Sequence, residues 1–292
     1  YRRLVEEINL IIFKCQSKYK QISIFDFNGW CSIYGKDSFD RKMDFFARQP
    51  ISSEAIGSFA SEIARTLRPF IFSPSKAIAI DADNLLWGGI IGEDSINKIK
   101  IGHEYPGNIY WRIQEFILKL KRRGILLFLL SKNNIKDIKE IFSKIDNMPL
   151  KLTDFDSVKV NWKKKYVNLK EIASDFNIGL DSFVFIDDQS FEREQMRYSL
   201  SNVNILEISE DPLTILSALE NCWLFDQYSI SQEDKIRSID YISEVKRKSL
   251  KQSINSNEKF LKTLKLKAII SPLNKKILIE QLKCLLKLIN SI

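Results

Sequence analysis

The sequence predicts an α/β protein built on a central parallel sheet with helices on both faces. Three observations carry that expectation. Short apolar runs, "AIAI" at 77–80, "LLFLL" at 126–130 and "FVFI" at 183–186, read as buried strands, because a strand covered on both faces drops the polar alternation. Stretches with apolar residues at helical spacing lie between them. Each run then ends in polar or acidic residues, and in such sheets ligands bind beyond the C-terminal strand ends.

Taken in order, residues 1–20 space Leu4, Val5, Ile8, Ile11 and Ile12 as a helix does. "QISIFDFNGW" alternates like a strand ending at Gly29. Residues 39–70 read as a loop and then a helix, with Ser52 or Ser53 as N-cap and Pro69 as its end. After the 77–80 strand, "GNIYWRIQEFILKLKRRG" is an amphipathic helix stopped by Gly124. "ILLFLLSKNN" is a strand, "IKDIKEIFSKI" a helix, and "VNLKEIASDFNIG" a helix closed by Gly179. "SFVFIDDQS" is a third strand and "VNILEIS" a fourth; a helix follows Asp211-Pro212 to about Trp223. Beyond it, a charged helix capped near Ser231, a short helix and strand in "FLKTLKLKAII", and a terminal helix in "KKILIEQLKCLLKLINSI" complete the expectation.

The 292 residues suffice for about two domains, and 45% hydrophobic content supports a sizeable core. No apolar run is long enough to cross a bilayer, so no membrane partner is expected. The chain begins at Tyr1 rather than Met, so the lack of a visible leader decides nothing. Cys15, Cys31, Cys222 and Cys284 lie far apart and form no metal-type pair; buried free thiols in a cytoplasmic protein are expected. A net charge of +8 suits an anionic partner, although abundant Lys, Ile and Asn account for part of it. No zinc-finger or RNP-type motif is present, and nucleic acid is not expected as a partner. The single histidine, His103, sits in the turn-like "KIGHEYPGN"; mechanisms needing a His triad or two-His metal site have nothing else to use.

The chemistry gathers at the strand ends. Asp81 and Asp83 follow the first run, Ser131 the second, and Asp187 and Asp188 the third. Carboxylates converging on one sheet edge repel one another unless a cation holds them, and an all-oxygen set suits Mg²⁺. With Mg²⁺ in place, one carboxylate can attack phosphorus and a second, two residues on, can act as acid and base. Ser131 offers a hydroxyl to a phosphoryl oxygen. Lys163, Lys164 and Lys165, before the next helix, offer the neutralising cation. Lys132 and Asn133, directly after the serine, are candidate substrate-binding residues. So are Trp87, Gly88 and Gly89: glycine would let the backbone approach a phosphoryl group, the alternative being a tight turn with a packed tryptophan.

The order D-x-D, Ser, Lys, D-D resembles the four motifs of the haloacid dehalogenase (HAD) superfamily. "DADNLLWGGIIGED", "LLSKNN", "NWKKKYVN", "FIDDQSFERE" and "SQEDKIRSIDY" resemble its FkbH-like branch, a HAD-IIIC type phosphatase group. The resemblance runs from about Ile22 nearly to the end. It implies a HAD Rossmann-like core using Mg²⁺, with Asp81 as nucleophile and Asp83 as acid–base. Asp81, the main-chain carbonyl of Asp83, and Asp187 would hold the metal, with Asp188 in the same acidic set. The N-W-x-x-K frame selects Lys165. The implied reaction is phosphatase or phosphotransferase chemistry on a phosphorylated small metabolite. Some FkbH-like members load a glyceryl unit on an acyl carrier protein; others are associated with cell-surface glycan genes.

Three departures matter. Leu85 stands where the pattern has Thr, and restoring Thr there is expected to raise the rate. Leu130 stands where glyceryl-loading members carry cysteine, and Gln189-Ser190 replaces N-P. They move weight toward plain phosphatase activity; the alternative is a catalytically weakened HAD-type module that docks a carrier protein or pathway enzyme. The loop after Asp83 is too short for a cap domain, so a minimal cap and an open site are expected.

The expected organisation is a partial flanking α/β region at 1–72, the HAD-like domain at 73–225, and at 226–292 a helical linker with the truncated start of an acetyltransferase-like region. FkbH-like proteins begin that region with a pattern like Q-L-x-x-K-T-N-Q-F-N. Here "EQLKCLLKLINSI" departs from it directly after Gln281-Leu282. Back-translating Lys283 to Ile292 with A/T-rich codons and reading from the third base yields MFTKTNQFN, so a frameshift near Lys283 is the expectation.

Overall fold

The computed structural model describes residues 1–19, 22–92, 98–145 and 148–227, with single positions at 241, 243 and 245. The chain divides into two compact units, Tyr1–Glu244 and Val245–Ile292. The elements expected beyond Ser231, Cys284 and the region of the expected frameshift lie outside the described residues.

The elements are α1 (Arg2–Lys18), α2 (Phe27–Tyr34), α3 (Arg41–Ala47), α4 (Ser53–Ile71), β1 (Ala77–Ile80), α5 (Gly107–Arg122), β2 (Leu126–Ser131), α6 (Ile135–Lys144), β3 (Ser157–Val160), α7 (Lys165–Phe176), β4 (Phe183–Ile186), α8 (Ser190–Ser199), β5 (Asn204–Ile205) and α9 (Pro212–Glu220). The five strands form one parallel sheet in the order β3-β2-β1-β4-β5.

The apolar runs are strands because both their faces are needed. Ile78, Ile80, Leu127, Leu129, Val184 and Ile186 share a core with Ile113 and Ile117 of α5 and Ile215 and Leu219 of α9. On the opposite face, Phe128 meets Phe176 of α7 edge-on, ring centroids 4.9 Å apart. Every residue of β1, β2 and β4 is buried. With no side facing water, the strands have nowhere to place a polar residue until they end. The register aligns β1, β2 and β4 closely, Ala77 lying beside both Leu126 and Phe183. Their acidic and hydroxyl termini therefore emerge at one edge.

Several expectations are corrected. The described residues of "QISIFDFNGW" contribute no strand. Asp26 caps a helix instead, its Oδ1 accepting from Gly29 N at 2.9 Å, and Phe27 and Trp30 pack on Phe59. Part of the expected loop at 39–51 is α3. Ser52 is the N-cap of α4, but Pro69 lies inside that helix, which runs to Ile71. Proline at 69 gives up its own N–H bond and its ring crowds the carbonyl four residues back, and the helix continues for only two residues past it. Asn177, with φ 53°, closes α7, and Gly179 is extended; asparagine tolerates the left-handed conformation. The sequence reading missed β3, a partly buried edge strand without an apolar run, and α8, which is dominated by charged and polar residues.

The loop from β1 to α5 carries only isolated bridges among its described residues. His103 is exposed in that loop, 5.6 Å from the Trp111 ring. Cys15 and Cys31 are half-buried and Cys222 is buried, all three free. Arg65 and Arg68 of α4 reach the chain after α9: Arg65 pairs with Asp226 at 2.6 Å, and Arg68 donates to the Trp223 carbonyl at 3.1 Å. Among the described residues, no helix is long and apolar enough to cross a membrane.

Candidate active site

At the C-terminal edge of the sheet lies a cleft of about 380 Å³, lined in part by Asp81, Asp83, Ser131, Lys165 and Asp188. Register brings these together across as many as 107 positions of sequence. Asp81 directly follows β1, Ser131 ends β2, Lys165 opens α7, and Asp187 and Asp188 follow β4.

Lys165 is buried and joins two of the strands. Its Nζ lies 2.6 Å from Asp187 Oδ2 and 3.0 Å from Asp81 Oδ2. Burial works against its charge, but Asp81 and Asp187 outweigh that cost and hold its pKa above the usual lysine value. Lys163 is exposed and pairs with Glu171 at 3.1 Å, while Lys164 lies over the Tyr166 ring. Of the three lysines, only Lys165 lines the cleft.

Asp187 is fully buried. Burial and then the Asp81 charge push its carboxyl up, while Lys165 pulls it down. Asp188 is also pushed up, first by burial and then by Asp81. Single carboxylate oxygens of Asp81, Asp187 and Asp188 lie within 4.8 Å of one another. Two buried oxygens there, Asp81 Oδ1 and Asp188 Oδ1, have no hydrogen-bond partner. A buried carboxylate oxygen without a donor is costly, so this acidic group fits a cation. The side chain of Asp83 is not in the cluster, being engaged elsewhere.

Asp83 Oδ1 accepts from Trp87 Nε1 at 3.0 Å and Ile91 N at 3.2 Å, and its Oδ2 accepts from Asn133 Nδ2 at 2.8 Å. Burial pushes its carboxyl up, and these three donors pull part of the way back. Asn133 Nδ2 also donates to Ser131 Oγ at 3.1 Å. Leu85 is wholly buried in the core, and Asp83 takes its hydrogen bonds from these other groups.

Three of the expected substrate-binding residues have other work. Trp87 is fully buried and positions Asp83. Gly88 exchanges backbone hydrogen bonds with Lys100 and abuts Tyr110, where an added Cβ would lie 2.8 Å from a ring carbon. Gly89, at φ 111°, donates its N–H to Asn84 Oδ1 at 3.0 Å. None of the three lines the cleft; the tight turn with a packed tryptophan is the arrangement present. Lys132 lines the cleft with its ammonium paired to Glu192, and Asn133 lines it while holding Asp83.

Other supports were not anticipated. Arg193 donates to the carbonyls of Asp187 at 2.7 Å and Asp188 at 3.0 Å, fixing the turn after β4. Asn84 Nδ2 donates to Asp188 Oδ2 at 3.3 Å. The only signal in sequence was the density of charge in "FERE", which holds Glu192 and Arg193; the fold buries both.

No protein-family model matches the chain, and no curated protein does. Among solved structures it is similar to the N-terminal part of the protein BF1531 from Bacteroides fragilis, which contains a phosphatase domain complexed with Mg. The identity is 32% and the TM-score 0.69, over 77% of this chain and 60% of that one. This chain thus spans less than two thirds of that structure's length. An uncharacterized protein from Corynebacterium glutamicum is similar at 12% identity and TM-score 0.35, over 52% of this chain and 95% of that one, a likeness too weak to bear on the fold. The fold is the HAD Rossmann-like α/β fold, with a five-stranded parallel sheet and helices.

Proposed function

We infer that this chain is a Mg²⁺-dependent phosphatase or phosphotransferase acting on a phosphorylated small molecule through an aspartyl phosphate on Asp81. The observation that carries the reading is the pair of buried, unpartnered oxygens, Asp81 Oδ1 and Asp188 Oδ1, grouped with Asp187. An all-oxygen, carboxylate-rich donor set suits a hard cation such as Mg²⁺, and Asp81, Asp187 and Asp188 would hold it. When bound, Mg²⁺ supplies positive charge to the phosphoryl oxygens. The phosphatase domain of BF1531 is itself complexed with Mg.

In this reading, the Asp81 carboxylate adds to phosphorus as the bond to the leaving oxygen breaks. Asp83, protonated, gives its proton to that oxygen. Water then attacks the aspartyl phosphate, Asp83 takes a proton from it, and phosphate leaves. A raised carboxyl pKa suits an acid working near neutrality. Ser131 offers its hydroxyl to a phosphoryl oxygen, and Lys165 keeps positive charge beside the nucleophile.

Transfer of a glyceryl-type acyl unit to an acyl carrier protein is a finer reading that this site does little to favour. Leu130 is buried in β2, and none of Cys15, Cys31 and Cys222 lines the cleft, so no described thiol is placed to hold an acyl group.

The test is phosphate release from acetyl phosphate and an aryl phosphate, with Mg²⁺ and with chelator, together with trapping of a base-labile phosphoryl group. Mg²⁺-dependent release with the label on Asp81 is expected. Equal release in chelator, or none from acetyl phosphate, would overturn the reading.

A further inference from the structure

One wall of the cleft takes no part in phosphoryl transfer. Trp162 lines the cleft yet is 74% exposed. A lone exposed aromatic elsewhere would need no explanation. This one sits on a turn fixed from several directions. Asn161 N donates to the Ser131 carbonyl at 3.1 Å, and Lys163 N donates to Asn161 Oδ1 at 2.9 Å. The side chains of Asn161 and buried Asn168 exchange two further bonds, of 3.3 and 3.0 Å. The backbone on both sides of Trp162 is therefore held to β2 and α7 while the indole is left bare. A surface held in place before binding loses little entropy when a ligand arrives.

The charges around it restrict what that ligand is. The two lysines lining the cleft among the described residues are already paired, Lys165 with Asp81 and Asp187, and Lys132 with Glu192. Residues 93–97, Glu-Asp-Ser-Ile-Asn, add no cation in sequence. The rest of the rim offers polar Asn84, Asn134, Asp137 and Gln189, with apolar Ile90 and Ile91 beside the Asp83 loop. A second phosphate on the substrate would find no unpaired lysine there and would face the Asp137 carboxylate. Hydroxyl groups would find amide and carboxylate partners, and the C–H face of a ring or chain would find the indole.

We propose that Trp162 is the platform for the leaving group, and that the substrate is the monophosphate ester of a neutral polyhydroxylated group, a sugar or polyol. The proposal deepens the phosphatase reading and rests on it. Trp162 is a specificity-determining residue here and takes no part in the bond changes at phosphorus.

The test is calorimetric binding, with Mg²⁺ present, of a hexose 6-phosphonate that cannot be hydrolysed, the matching bisphosphonate, and orthophosphate. Wild type, Trp162→Ala and Trp162→Phe are compared, each checked by thermal melting. Trp162→Ala is expected to weaken the hexose phosphonate by about fivefold to tenfold, with Trp162→Phe recovering most of the loss. Orthophosphate, which has no leaving group to seat, should shift much less. Equal hexose phosphonate affinity in all three proteins, an equal loss for orthophosphate, or a bisphosphonate that binds more tightly than the monophosphonate would each overturn the proposal. Acetyl phosphate hydrolysis by the wild type is scored separately: its failure removes the phosphatase reading, while the phosphonate titration still decides what Trp162 does.

Discussion

Lys165 sets its ammonium 2.6 Å from Asp187 Oδ2, at a point where both side chains are almost wholly buried. The same nitrogen reaches Asp81 at 3.0 Å, so a single cation joins the ends of two neighbouring strands. Removing one partner of a buried ion pair leaves the other charge without compensation. Lys165→Ala is therefore expected to destabilise the fold by about 3–5 kcal/mol and to suppress phosphate release. Lys163→Ala and Lys164→Ala should do neither, since both lysines are exposed. Urea unfolding and phosphate release of the three variants decide it; three equal effects would remove Lys165 from its assigned place.

Asp81→Asn keeps the shape of the side chain but cannot form the acyl phosphate. Turnover is expected to fall by several orders of magnitude, as for groups that act as a catalytic unit. The phosphoryl label on residue 81 should vanish with it. Retained turnover in a folded variant would exclude Asp81 as nucleophile.

The pH profile reports on Asp83. A hydrogen bond donated to a carboxylate favours its charged form, so removing the Asn133 donor raises the Asp83 pKa further. An acid that must carry a proton stops working as pH rises through its pKa. Asn133→Ala is thus expected to move the alkaline limb of the rate profile to higher pH. A limb that stays in place or moves down would show that Asp83 is not the acid, or that Asn133 does not tune it.

Gly88 abuts the Tyr110 ring, and a Cβ there would sit 2.8 Å from it. Gly88→Ala should overpack this contact and lower stability by about 1–3 kcal/mol. An unchanged melting temperature would show that the ring yields freely.

The family resemblance led to the expectation that Leu85→Thr would raise the rate. The packing around residue 85 argues against it. Leu85 is wholly buried among apolar residues, and Asp83 already accepts three hydrogen bonds from other groups. A hydroxyl at 85 is expected to lower stability by about 1–3 kcal/mol without increasing turnover. A faster enzyme of equal stability would restore the original expectation.

What the sequence determined by itself is what local pattern can encode. Uninterrupted apolar runs can satisfy only strands covered on both faces, and a parallel sheet of aligned strands sends their last residues to one edge. Hence β1, β2 and β4 as buried parallel strands, and the gathering of Asp81, Ser131 and Asp187 at their ends, were legible in the sequence. Tertiary structure alone decided which side chain meets which. Trp87 and Gly88 looked suited to a substrate because they follow Asp83 in sequence, yet one is buried as a donor to Asp83 and the other lies against Tyr110 of α5. The pairing of Lys132 with Glu192, 60 positions away, and the hold of Asn133 on Asp83, 50 positions away, leave no periodic trace. Nor does the edge strand β3, half-exposed and freed from the apolar rule that marks its neighbours. Periodicity records how much of a residue is buried and on which side; the direction of a hydrogen bond is set only when segments distant in sequence are brought to within about 3 Å.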